Sequence, residues 1–119
     1  MFKISNNDFK ILGKYKEYMD KIDNVLENVP RRDMYYKDKL KGVLDGLLKY
    51  IFKSSYEIDK SRLSKYYVEI KSDIALIDFM LDRLHNKKYI SEKSLYKLGN
   101  DLVEINKMVT GWLNGKLWS

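Results

Sequence analysis

A chain of 119 residues with no cysteine, carrying 23 Lys and Arg against 17 Asp and Glu, fits one domain and has neither a disulfide framework nor thiol chemistry. Its net charge of +6 favours polyanions through counterion release and steering, although lysine spread over helix surfaces gives the same total. No apolar run approaches the ~20 residues that span a bilayer, and no apolar h-region follows the amino terminus, so the expectation is a soluble, cytoplasmic protein with no membrane partner.

The first helix is expected over about 7–29. Leu12, Tyr15, Met19, Ile22, Leu26 and Val29 repeat at spacings of 3, 4, 3, 4, 3, one stripe of a helix. Pro30 ends it, because the residue before a proline is pushed out of the helical region. The second helix, about 32–54, carries Tyr36, Leu40, Val43, Leu47 and Tyr50 at spacings of 4, 3, 4, 3. The third, about 59–86, carries Leu63, Tyr67, Ile70, Ile74, Ile77, Leu81 and Leu84 on the same repeat. After the turn at Asn86-Lys-Lys-Tyr-Ile, a fourth helix over about 91–115 lines up Leu95, Leu98, Leu102, Ile105, Val109 and Trp112. Ser91 stands where an N-cap belongs, and Lys107 and Lys116 lie towards the carbonyl end.

Three short connections between four rods of this length favour antiparallel neighbours, and nothing alternates with the period of two that strands require. The fold class is therefore all-α, a single up-down-up-down four-helix bundle. Helices 2 and 3 hold more apolar residues than one seam needs: Leu44, Leu48 and Ile51 on the former, Ala75, Leu76, Phe79 and Met80 on the latter. A stripe this wide marks either a helix deep in the bundle or one with a second face for another subunit, and a small bundle favours self-association. Gly42 and Gly46 form a Gly-x-x-x-Gly pair, which is either a close helix approach or chance spacing.

Catalysis finds little support. No Ser-His-Asp, Cys-His or Gly-rich phosphate motif is present. The lone histidine, His85, sits near the carbonyl end of helix 3, where it favours the helix dipole. Asp73, Asp78 and Asp82 lack the Glu-x-x-His partners of a di-metal bundle and read as a solvated edge. No cofactor and no metal are expected.

The positive charge is uneven. Residues 1–30 hold five lysines against five acids, whereas residues 31–58 hold seven Lys and Arg against four. Arg31 and Arg32 follow Pro30, and Lys37, Lys39, Lys41, Lys49 and Lys53 continue along helix 2. This is the densest basic run and the candidate for phosphate contacts. Ten tyrosines accompany the charge. In Tyr35/Tyr36 and Tyr66/Tyr67 one ring faces the seam and its neighbour lies outside. The outer rings either stack on unpaired bases beside the cations or line the bundle's rim with a wet hydroxyl.

Three further stretches stand out: Val29-Pro-Arg before helix 2, Ile90-Ser-Glu-Lys followed by Leu98, and Glu104-Ile-Asn-Lys-Met-Val-Thr-Gly-Trp-Leu. In these the chain resembles the Avd-like family, the accessory variability determinants of diversity-generating retroelements, related to ribosomal-RNA intervening-sequence proteins. The similarity covers most of residues 25–115. Family members typically carry a Leu-Leu-Ser-Glu-Lys turn and end on Glu-Ile-Gly-Arg-Met-Leu-Gly-Gly-Trp. This chain keeps Glu104, Ile105, Met108, Gly111 and Trp112, with Asn106 and Thr110 where glycine is usual and Lys107 where arginine is usual.

The resemblance implies a homopentameric barrel of four-helix bundles with a basic surface. It implies binding to the retroelement's reverse transcriptase and to RNA, with DNA as a further possible ligand, in support of mutagenic retrohoming, and no catalysis. One departure bears on this. Where the family carries helix 3 arginines in a Leu-Arg-Phe-Leu-Leu-Arg pattern, this chain has Asp78 and Asp82, so a contact made by those arginines is lost or moved. Arg83 stands one position out of phase. The ribosomal-RNA intervening-sequence branch fits less well, because its Ser-Ile-Pro-Ser-Asn-Ile-Ala-Glu-Gly stretch is absent. The other reading of the composition is a self-assembling bundle that binds a protein and no nucleic acid.

Overall fold

The computed structural model describes residues 6–118, with side chains from Lys10 onward. Four helices, α1 (Asn6–Leu26), α2 (Met34–Tyr56), α3 (Lys60–Asn86) and α4 (Glu92–Trp118), follow one another, with a 3-10 turn at Arg31–Asp33 before α2. Both α1 and α3 pack on α2 and on α4, which closes a four-helix bundle. The chain direction alternates. Lys87 and Tyr89, just past the end of α3, reach Asp33 at the start of α2. Lys116, near the end of α4, donates to the carbonyls of Ser54 and Ser55 near the end of α2. The result is a rod of 45 × 26 × 22 Å.

The helix ends have local causes. Expected to reach Val29, α1 stops at Leu26, and the amides of Asn28 and Val29 fall back on the carbonyls of Val25 and Leu26. Pro30 bars its predecessor from helical geometry, so the last turn tightens into shorter-range bonds while Val29 stays buried. The next three residues wind into the 3-10 turn, which delays α2 to Met34. Asp59 caps α3, accepting the Ser61 and Arg62 amides at 2.8 and 3.2 Å. Ser91 Oγ accepts the Ser94 amide at 3.1 Å and caps α4, which runs on to Trp118 rather than ending near 115.

Most of the expected seams form the core. The exceptions define the packing. On α1, Ile11 and Tyr18 are buried beside Tyr15, Ile22 and Leu26, whereas Leu12 and Met19 are only half-buried. Both pairs flank the same line of residues, and contact with α2 and α4 decides between them. The apolar excess of α2 is absorbed, since Leu44 and Ile51 lie in the core and Leu48 packs against it. The excess of α3 is divided. Met80 is buried, but Leu76 and Phe79 are exposed, as are Ala75 and Val68, and they form a stripe on the side of α3 opposite the core. The Gly-x-x-x-Gly pair brings no backbone close: a Cβ on Gly42 would meet nothing within 4 Å, and one on Gly46 only the Asp73 carboxylate at 4.0 Å. Chance spacing accounts for it.

Polar groups tie the helices pairwise. Tyr15 donates to the Leu44 carbonyl at 2.6 Å, joining α1 to α2 through the core. Tyr18 is equally buried, yet its hydroxyl has no partner among the described residues. Burial, then nearby Tyr18, Asp45 and Asp73, pushes the Tyr15 phenol above its ordinary value, and burial, then Asp101 and Asp78, does the same for Tyr18. Lys14 and Lys21 both meet Asp101 on α4, at 3.7 and 2.9 Å, and Lys14 also meets Glu104 at 3.4 Å. Lys71 bridges α3 to α4, donating to Asn106 at 2.6 Å and Thr110 at 2.7 Å.

Candidate nucleic-acid interface

The seven basic residues singled out in the sequence do not form one patch. A helix of this length spans ~34 Å, so Arg31 and Arg32 stand roughly 30 Å from Lys53. Three groups result.

The first lies at the end of the bundle where the α1–α2 and α3–α4 connections meet. Arg31 and Arg32 are exposed there. Behind them, Tyr35 and Tyr36 meet edge to face, with ring centroids 5.7 Å apart and planes at 76°. Lys39 lies over the Tyr35 ring at 5.7 Å. Two cations from α3 and its end cover Tyr36: Arg83 at 5.6 Å, which also donates to the Tyr36 hydroxyl at 2.8 Å, and Lys87 at 5.0 Å. Asp33 fixes the arrangement from below. Its carboxylate, free of capping duty, accepts the Tyr89 hydroxyl and pairs with Lys87 at 3.8 Å.

The second group lies towards the other end, in a shallow groove lined by Lys49, Phe52, Lys53, Tyr56, Glu57 and Tyr66. Lys53 sits over two rings, Tyr50 at 5.3 Å and Tyr66 at 5.8 Å, while Tyr56 is exposed. Glu57 is engaged by Arg62 at 3.7 Å and by the Tyr66 hydroxyl at 3.4 Å. Lys37 and Lys41 make up the third group, one turn apart on the opposite edge of α2. Lys41 pairs with Asp23 of α1 at 3.9 Å, so that edge faces α1 rather than the tyrosines.

Cations resting on rings differ physically from cations in ion pairs. An aromatic face attracts a cation by about 0.5–1 kcal/mol at an exposed site and leaves its net charge intact. A carboxylate partner cancels it. Lys39, Lys53 and Arg83, which rest on rings and make no ion pair among the described residues, therefore keep charge for an incoming phosphate, beside rings wide enough to stack a base.

Arg83, Lys87 and Lys88 were missed as members of the first group. Spacing places Arg83 one step off the helix 3 register, yet it reaches Tyr36 of α2. The available signal was topological: alternating helices put the first and third connections at the same end, which brings Arg31-Arg32 beside Lys87-Lys88. Asp78 and Asp82 are both exposed on α3. Among the described residues no group of three or more His, Asp or Glu side chains is placed to hold a metal, and no helix is long and apolar enough to cross a membrane. No protein-family model matches this chain, and no curated protein is significantly similar to it.

Proposed function

We propose that the protein is a non-enzymatic accessory protein of a diversity-generating retroelement. In this reading it assembles as a homopentamer in the cytoplasm and joins reverse transcriptase to template RNA through its basic surface. The observation that carries the nucleic-acid part is the row of lysines and arginines laid on tyrosine rings along α2 and α3. The retroelement part rests on the resemblance of residues 25–115 to Avd-like sequences. Asn106 and Thr110, which replace the family's usual glycines, are the side chains that hold Lys71. The departure from the pattern thus has a local structural role. The exposed stripe of Val68, Ala75, Leu76 and Phe79 supplies a face for self-assembly.

The test is binding to a structured RNA from about 50 to 300 mM salt, with the oligomer followed in parallel. A log affinity that falls steeply with log salt is expected. Reversing Arg31, Arg32, Lys49 and Lys53 to Glu should abolish RNA or polymerase binding while the oligomer survives. The exposed α3 stripe also favours a second reading, a self-assembling module whose partner is a protein. Weak RNA binding at low salt, unchanged by the four reversals, would select it.

A further inference from the structure

We infer that the end of the bundle where the two connections meet is a site for single-stranded RNA, with an unpaired base stacked on Tyr35 and the flanking phosphates held by Arg31, Arg32 and Lys88. This rests on the nucleic-acid reading above and deepens it by choosing the place and the kind of strand.

Three observations converge. Tyr35 is 66% exposed although its ring belongs to a packed aromatic pair. Its neighbour Tyr36 is pinned by Arg83 and Lys87, and Asp33 pins Lys87 in turn. With Lys39 over one face at 5.7 Å, Tyr35 still presents a largely exposed ring on a rigid base, and such a ring stacks an unpaired base but has no access to a paired one.

The local charge is also open. Residues 27–39 and 82–93, the segments that meet here, hold eight basic side chains against five acidic ones. Asp33 is turned inwards to Lys87 and Tyr89, and among the described residues Arg31, Arg32 and Lys88 make no ion pair.

Lys88 supplies the third observation. Its backbone is left-handed, with φ of 67°, at the position after α3 where glycine or asparagine ordinarily ends a helix. Its amide donates to the His85 carbonyl at 2.8 Å and the Tyr89 amide to the Leu84 carbonyl at 3.0 Å, so the turn is fully formed despite the residue. A lysine here is worse than glycine for the fold and places a charge at the rim beside Arg31 and Arg32.

The experiment uses the full chain with two labelled probes, an oligouridylate of about 12 nucleotides and an RNA duplex of equal length, each titrated across the same salt series. The single strand should bind at least ~10-fold tighter than the duplex, as stacking on a ring requires. Tyr35→Ala should weaken it by about 5- to 30-fold, and Tyr35→Phe should keep the affinity. Lys88→Gly should raise the melting temperature while lowering both affinity and salt slope, the latter by ~0.7. A residue with only a structural role cannot move stability and affinity in opposite directions. Circular dichroism confirms that each variant folds.

Single-strand binding that neither Tyr35→Ala nor Lys88→Gly changes would overturn this site and leave the nucleic-acid reading standing on the Lys49–Lys53 groove. Equal or tighter binding of the duplex would also overturn it. No binding of either probe at low salt would remove both readings together.

Discussion

Helices α1 and α2 are built from the same materials and use them oppositely. Each carries several lysines and at least two tyrosines. On α1, Tyr15 and Tyr18 lie in the core among Ile11, Ile22 and Leu26, while Lys14 and Lys21 are matched to Asp101 and Glu104 of α4. On α2 the core stripe is Leu40, Leu44, Leu47 and Ile51, which moves the tyrosines to its flank and out to solvent. Lysines beside them rest on rings instead of carboxylates. The lesson is that charge alone does not define a binding face. What counts is whether the fold has already supplied each cation with an anion.

The widest break in this contrast comes from reversing charge on each helix. Arg31, Arg32, Lys49 and Lys53 changed to Glu should lower RNA affinity by roughly 100-fold or more with little loss of stability, since these side chains are exposed. Lys14 and Lys21 changed to Glu should do the reverse. Like charges would then face Asp101 and Glu104, lowering stability by about 1–2 kcal/mol in denaturant melts while RNA affinity changes by less than about threefold.

The next largest effect separates the two sets of tyrosines by pH. Both α1 phenols titrate above their ordinary value because they are buried, so the native chain keeps protons that the unfolded chain releases. The stability they contribute is fully present below about pH 10 and is lost as pH rises beyond it, by about 1.4 kcal/mol per pH unit for each phenol. Urea midpoints measured from pH 9 to 11.5 should fall with that slope, and each Tyr→Phe change on α1 should remove one share.

At neutral pH those two changes should differ in sign, the smallest and sharpest of the effects. Tyr15→Phe deletes a 2.6 Å bond to the Leu44 carbonyl and should cost about 1 kcal/mol. Tyr18→Phe deletes a buried hydroxyl with no partner among the described residues and should stabilise by about 0.5–1 kcal/mol. If both destabilise equally, Tyr18 has a bonding partner in solution and the contrast within α1 fails.

Much of the fold was legible because apolar spacing reports which side of a rod is buried, and the seams of α3 and α4 hold nearly residue for residue. Spacing does not report how wide the buried side is. That width depends on two neighbouring helices, so the spacing passed over Ile11 and Tyr18 and marked Leu44 and Ile51 as surplus. The individual cations were legible too, but their grouping was not. Lys41 looked continuous with Lys49 and Lys53 and instead pairs with Asp23, whereas Arg83 looked out of register and lies on Tyr36. Both outcomes depend on which helix stands next to which.

The Lys116 ammonium sits 2.5 Å from the Ser54 carbonyl and 3.2 Å from that of Ser55, and also lies over the Trp112 ring at 5.2 Å. Because α2 and α4 run in the same direction, their two negative dipole ends converge there, and one cation serves both. The last turns of these helices are therefore thermodynamically linked. Fraying one strips the other of its counter-charge, so the amides of 53–56 and 113–117 should exchange with solvent as one cooperative unit.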